Sequence, residues 1–386
     1  MSSPSSRIPI HDVRKVAIAA LPRSASSPLF DRLRAAVGQV AMRAPDADEG
    51  LRWHTHRLGG VPRRFAQPIT FTPYASVQPC SARCGFCSEN LRKADGSIAA
   101  SRLRPDTGYF DGLARALRAL RGVPLSWSLS GLETSDDAGW MLQLLDTLAA
   151  GERDGPVVEE RVLYSNGAGF AAPRGAQLRS ALQDFGLSWL ELSRHHHDGA
   201  ANQAIMRFRP EVAIGEQAVF ERTARQLADA VALRLVCILQ RGGVAQPADV
   251  SAYLQWAQRC GAGTVVFREF SRLDSSYRDN ATARYLHARR VPMDELLAAC
   301  LDNAVSRGWT LEHLTEGYYF WNLRLRTATG LRVVFESADY GAMHQRHASG
   351  DVYKLVYFPD GQLCAGWEPG RDVLLDTRSE EARAHA

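Results

Sequence analysis

The sequence predicts an α/β protein: a partial (β/α)6 barrel of the TIM type, with a small N-terminal helical extension and an α+β C-terminal cap. Three observations predict it. Six short β-rich runs recur between about residues 69 and 273: ITFTPYA at 69, LSWSLS at 125, RVLYSN at 161, LSWLELS at 187, LRLVCIL at 233 and TVVFREF at 264. Helical patterns lie between them, and that alternation marks successive βα units around a parallel sheet. The composition, with 45% hydrophobic and 23% charged residues over 386 positions, suits a folded chain that buries a large core.

Taken in order, residues 1–62 form an extension with a Ser/Pro-rich start, one amphipathic helix near residues 29–42, and a Gly-Gly and Pro-bearing connection at 59–62. Residues 63–290 form the barrel. Its first helical faces are Tyr109, Phe110, Leu113, Leu117 and Leu120, then Met141, Leu144, Leu145 and Leu148. Residues 291–386 form the cap, opening with a helix over 293–307 and continuing in the strand-like runs LRVVFES at 331 and VYKLVYF at 352. The second run reaches Pro359-Asp360-Gly361, which reads as a hairpin turn. Tyr318, Tyr319, Phe320 and Trp321 read as core of the cap, and Tyr164 as a packing residue.

Composition also excludes function classes. No apolar run approaches the roughly 18 residues of a membrane span, and the N-terminus lacks the apolar core of a secretory signal. A cytoplasmic location and no membrane partner are the expectation. The net charge of +4 arises from 46 basic and 42 acidic residues spread along the chain, without the dense basic patch that phosphate neutralisation requires. Nucleic acid is not expected as a partner.

Seven cysteines at this length do not suggest a disulfide framework, and three of them fall within eight residues, Cys80-Ser81-Ala82-Arg83-Cys84-Gly85-Phe86-Cys87. Three thiolates in one loop are soft ligands that suit zinc or iron with sulfide. A structural zinc site is normally closed by a fourth Cys or His, and no nearby second pair completes one here. Three ligands on a four-iron cube instead leave one iron open to a substrate or cosubstrate. Cys237, Cys260 and Cys300 read as buried thiols. Cys364 follows the probable hairpin turn, and the choice between buried thiol and hydrogen-atom donor stays open.

The C-x3-C-x2-C spacing, with aromatic Phe86 before the last cysteine, resembles the radical S-adenosylmethionine superfamily over roughly residues 69–273. The resemblance implies a single [4Fe-4S] cluster on Cys80, Cys84 and Cys87 and S-adenosylmethionine as cosubstrate. It also implies an electron donor such as flavodoxin or ferredoxin. Ser130-Gly131-Leu132-Glu133 looks like the family's Gly-Gly-Glu motif, which makes Ser130, Gly131 and Glu133 the expected receivers of the cosubstrate amino group. Ser165 and Asn166, after the third strand, and Ser193 and Arg194, after the fourth, stand where the family places cosubstrate or substrate contacts; Gln240 ends the fifth strand.

A physical reading agrees with that grouping, because the C-terminal ends of parallel barrel strands converge on one face. Cys80, Glu133, Asn166, Ser193 and Gln240 each follow or end a strand. His195, His196 and His197 come just past the fourth strand, and imidazole titrates near neutrality. One of the three is therefore expected to face the substrate as a catalytic group, without a second metal site.

Fold alone leaves the substrate open. The leading expectation is a small polar metabolite, such as a sugar, nucleoside or amino-acid derivative, in specialised metabolism. A maturase that cross-links or epimerises a ribosomally made peptide is the alternative within the same chemistry. A non-enzymatic iron–sulfur or zinc scaffold is the alternative outside it.

Overall fold

The structure is a computed structural model that describes residues 42–43, 53–67, 69–74, 76–91, 99–273, 275–316, 320–347 and 350–378. The helix expected near residues 29–42 lies outside these, apart from Met42, which opens a two-residue strand, β1 (Met42–Arg43). Tyr318 and Tyr319 also lie outside them. Strands β2 (Trp53–Leu58) and β3 (Val61–Ala66) pair antiparallel as a hairpin. Gly59 and Gly60 both take positive φ, +56° and +76°, as the two central residues of the turn that best matches hairpin twist must.

All six strands expected from the sequence form. They are β4 (Thr70–Pro73), β5 (Pro124–Leu129), β6 (Val157–Ser165), β7 (Trp189–Ser193), β8 (Leu233–Ile238) and β9 (Thr264–Arg268). Each pairs parallel with the next, so their C-terminal ends share one side of the sheet. Helices α1 (Tyr109–Ala119), α2 (Ala138–Glu152), α3 (Ala168–Ala171), α4 (Gly175–Asp184), α5 (Gly199–Met206), α6 (Gln217–Ala230) and α7 (Pro247–Arg259) lie in the crossovers. After β9 come α8 (Ala281–Arg289), α9 (Met293–Leu301), β10 (Thr310–Glu316), β11 (Phe320–Arg326), β12 (Arg332–Ala338), α10 (Tyr340–His347), β13 (Leu355–Tyr357), β14 (Gln362–Cys364) and β15 (Val373–Asp376).

The C-terminal segment extends the sheet at both edges. β12 adds parallel to β9, and β11 and β10 follow it antiparallel. At the opposite edge β13 adds parallel to β4, and the hairpin expected at Pro359-Asp360-Gly361 carries the chain into β14. Among the described residues the sheet has thirteen strands and stays open between β1 and β15. None of its described helices is long and apolar enough to cross a membrane.

Side chains alternate across the strands, and the two faces differ in chemistry. Phe71, Leu125, Trp127, Leu129, Leu163, Leu190, Leu192, Leu235 and Phe267 point to the helices, each almost wholly buried, and join Leu113, Leu148, Phe220 and Tyr253 in one core. Burying a side chain of that size contributes roughly 1.5–3 kcal/mol, so this layer holds the architecture. The face turned away from the helices carries a small valine cluster, Val236, Val266 and Val334. Around that cluster it is polar, with Ser126, Ser128, Tyr164, Glu191, Ser193, Arg268 and Glu336. A polar inner face below the strand ends is a place for a ligand, not for packing.

The C-terminal edge is fastened to α1. Tyr357 on β13 shares a hydrogen bond with Thr377 (2.9 Å), and the Thr377 hydroxyl donates to the Gly361 carbonyl (2.8 Å). Gly112 lets α1 come this close, because a Cβ there would overlap the Tyr357 hydroxyl and crowd Thr377. Gly112→Ala is therefore expected to lower stability by about 1–3 kcal/mol in denaturant unfolding. An unchanged midpoint would contradict the packing described for this edge.

Candidate active site

The cysteine loop leaves the C-terminal end of β4 and is tied to three neighbouring elements. The Asp136 carboxylate, past β5, accepts from the Ser81 backbone amide (2.7 Å). Asn166, past β6, donates through Nδ2 to Ser81 Oγ (3.0 Å) and to Cys80 Sγ (3.5 Å). The Met206 carbonyl, which ends α5, accepts from the Arg83 amide (3.0 Å) and from the Cys84 thiol (3.7 Å). Cys80, Cys84 and Cys87 are free thiols, each partly buried.

Burial pushes all three thiols up. Cys80 rises to about 12, with Glu133 adding to the burial effect, and Cys87 to about 11, with Glu89 adding to it. Cys84 rises as well, through burial and then the neighbouring Cys87. Left alone the trio stays protonated, whereas iron or zinc at this position would supply the positive charge that makes thiolates. Among the described residues no three Cys, His, Asp or Glu side chains converge on one single-ion position. A four-iron cube takes each thiolate on a different iron and needs no such convergence; the donor chemistry fits it.

Phe86 anchors the loop from the other side. Its ring meets His195 edge to face at 4.8 Å and Phe270 at 5.6 Å. Gly85 lies against Tyr285, whose ring would stand 2.8 Å from any Cβ at that position. The Tyr285 hydroxyl donates to Gln240 Oε1 (2.7 Å). Gln240 is fully buried and steadies the cysteine loop through Tyr285, while its Nε2 is a buried donor without a hydrogen-bond partner.

The Ser130-to-Glu133 segment turns sharply at the end of β5. Gly131 has φ +101° and packs under Tyr74, whose ring would lie 2.5 Å from a Cβ there; Leu132 follows with φ +48°. This turn sends Glu133 inward. Its Oε1 accepts from the Ser135 amide (3.2 Å), the Ser135 hydroxyl (2.6 Å) and the Ser165 hydroxyl (2.8 Å), while Oε2 accepts from the Asn166 amide (2.5 Å). The carboxylate thus pins the end of β5 to the end of β6. An incoming amino group would find only the second lone pair of Oε2, so the expected role as amino-group receiver gives way to an organising one. Ser130 stays half-buried at the turn.

Two further expectations are corrected by the direction of the side chains. Successive strand residues point to opposite faces, so Ser193 stays with the inner face while Arg194 goes to the helices. The Arg194 guanidinium is wholly buried, lies over Phe220 (4.5 Å) and bonds Gln217 Oε1 and the His196 carbonyl (3.2 Å). Desolvation brings it down to about 10.

His195 is also turned inward. Its amide donates to Asn202 Oδ1 (2.8 Å), and Nδ1 accepts from the Ile238 amide (3.1 Å), which leaves the proton on Nε2. Burial lowers it to about 3. As a neutral imidazole it props Phe86. His196 and His197 stack on each other at 4.5 Å beside α6 and α7, where Gln217 Nε2 donates to the His197 carbonyl (3.0 Å) and the Asp198 amide donates to His196 Nδ1 (3.0 Å). Cys364 is buried among Tyr74, Val356 and Phe358, a packing thiol.

Residues that the sequence did not single out complete the site. Arg268, at the end of β9, reaches across the inner face to Glu191 Oε2 and Glu336 Oε1, both at 2.8 Å, with the Tyr164 ring 5.8 Å away. Tyr340, at the start of α10, shares a hydrogen bond with Ser271 and lies in the field of Arg268, Glu89 and Cys87; burial pushes its hydroxyl up. The Tyr74 hydroxyl donates to Glu89 Oε2 (2.5 Å). An arginine closing an apolar strand, as in TVVFREF, was the available signal for Arg268; its two carboxylates, Glu191 and Glu336, are far from it in sequence.

No family model and no curated protein matches the chain. Among solved structures, SuiB of Streptococcus suis bound to S-adenosylmethionine is similar at 12% identity and TM-score 0.46, covering 82% of this chain and 65% of its own. anSMEcpe with bound AdoMet is similar at 12% identity and TM-score 0.39, with 52% and 51% covered. The FeFe-hydrogenase maturase HydG from Carboxydothermus hydrogenoformans is similar at 13% identity and TM-score 0.35, with 62% and 53% covered. The chain thus spans about 65% of the length of SuiB and about half that of the other two.

Burial holds Glu133 up at about 7 against an ordinary 4.5. A raised folded value means that the folded chain binds the proton more tightly. The contribution of Glu133 to stability is therefore full below about 4.5 and is lost as pH rises through about 7. The difference in unfolding free energy between the wild type and Glu133→Gln is expected to change across that window, by roughly 3 kcal/mol at most. A pH-independent offset between the two would contradict the burial of this carboxylate.

Proposed function

We propose that this chain is a radical S-adenosylmethionine enzyme, with Cys80, Cys84 and Cys87 holding a [4Fe-4S] cluster. The observation that carries the reading is the cysteine loop itself: three unpaired thiols at the C-terminal end of the first of six parallel strands, braced by Asp136, Asn166 and Met206. When bound, the cluster supplies an electron that breaks a carbon–sulfur bond of S-adenosylmethionine, giving methionine and a 5′-deoxyadenosyl radical that takes hydrogen from the substrate.

The chain's own residues do the positioning. Phe86 and its props His195 and Phe270 fix the loop, and Glu133 joins the ends of β5 and β6 so that Asn166 presents its amide to Cys80. The backbone turn at Gly131 and the half-buried Ser130 remain as strand-end contacts for the cosubstrate. On the inner face below, Tyr164, Glu191, Arg268 and Glu336 offer directed polar groups, with the Arg268 and Glu336 side chains each about a quarter exposed. A small polar metabolite is the substrate class that such a surface supports best.

Anaerobically reconstituted wild type is expected to bind about four irons with matching sulfide and to form 5′-deoxyadenosine on reduction. Ala replacement of Cys80, Cys84 or Cys87 should remove the reduced-cluster paramagnetic signal and cofactor cleavage together. A single variant that keeps both would contradict the ligand assignment. Turnover of a precursor peptide, with none of small metabolites, would favour the maturase alternative.

A further inference from the structure

A cleft of about 570 Å³ opens between the segment that follows β9 and helix α8, and nothing described so far uses it. Its volume is that of a small-molecule site. Among the described residues, four guanidinium groups line it, those of Arg272, Arg278, Arg284 and Arg290, with the carboxylate of Asp279. Arg284 pairs with that carboxylate at 3.2 Å, and Arg290 pairs with Glu269 outside the cleft. Arg272 and Arg278 are exposed at its rim.

The floor is of another kind. Leu273, Ala283 and Leu286 line it and belong to an apolar cluster with Phe270 and Phe86, the aromatic residue of the cysteine loop. Ser271, also on the lining, shares a hydrogen bond with Tyr340, which in turn lies near Cys87. The cleft therefore adjoins the packing around Phe86.

An apolar floor beneath several guanidinium groups suits a molecule with an apolar or aromatic body and a phosphate or carboxylate, since planar guanidinium forks bind such anions with paired hydrogen bonds. We infer that this cleft binds the anionic end of a small organic molecule, and that it anchors the substrate beside the cysteine loop. The anchoring role rests on the radical reading given above; the binding does not.

Isothermal titration of the reconstituted full chain with phenyl phosphate, inorganic phosphate and hexaglutamate tests it. Phenyl phosphate should bind more tightly than inorganic phosphate, and Arg272→Gln with Arg278→Gln should weaken it at least tenfold. Both positions are exposed, so the variant folds, and it should still form 5′-deoxyadenosine without substrate at the wild-type rate. Equal binding by variant and wild type, or no binding by either, overturns the assignment. Binding of hexaglutamate without phenyl phosphate overturns the small-molecule anchor in favour of an acidic peptide. If binding behaves as expected while no preparation cleaves the cofactor, the cleft stands and the radical reading fails.

Discussion

The site depends on one buried carboxylate. Glu133 accepts four hydrogen bonds from Ser135, Ser165 and Asn166, and through Asn166 the same knot reaches Ser81 and Cys80. A hydrogen bond to a charged group contributes about 1.5–3 kcal/mol, whereas an unpaired buried charge costs several kcal/mol. Loss of any one of these donors is therefore costly. Because the network joins two strand ends to the cysteine loop, it sets where the first thiol stands relative to the sheet.

The rest of the loop is held by aromatic packing and not by charge. Phe86 sits between His195 and Phe270, and Gly85 leaves room for Tyr285. His195 serves this packing because it is neutral. A charged imidazole with no exposed surface would carry the desolvation penalty that lowers its pKa to about 3, and it would no longer accept from the Ile238 amide. The loop is thus polar on the side of β5 and β6 and apolar on the side of β8 and β9, and the arginine-rimmed cleft lies beyond the apolar side.

Much of this was legible in the sequence, and the reasons are physical. Parallel strands buried on the helix face read as apolar runs with strong β preference, which is why all six appeared in LSWSLS, LRLVCIL and their like. The cysteine spacing is local and survives any uncertainty about tertiary structure. What failed was direction. A run such as Ser193-Arg194-His195 reveals its place at a strand end but not which side chain faces the ligand, and two of the three face the protein. Glu133 was found by position, yet two of its four hydrogen bonds come from Ser165 and Asn166, more than 30 residues away. The Arg268 pairings with Glu191 and Glu336 are between strands distant in the chain, and no local pattern encodes them.

The central claim is that a cluster held by this loop has an open iron which receives S-adenosylmethionine. Electron–nuclear double resonance of the reduced, reconstituted chain with cosubstrate carrying ¹⁵N in its amino group tests it most directly. Nitrogen hyperfine coupling to the cluster, absent in a Cys84→Ala variant, is the result this account predicts. A fully assembled cluster that shows no coupling to the labelled amino group, or a loop that retains zinc and takes up no iron, would contradict it.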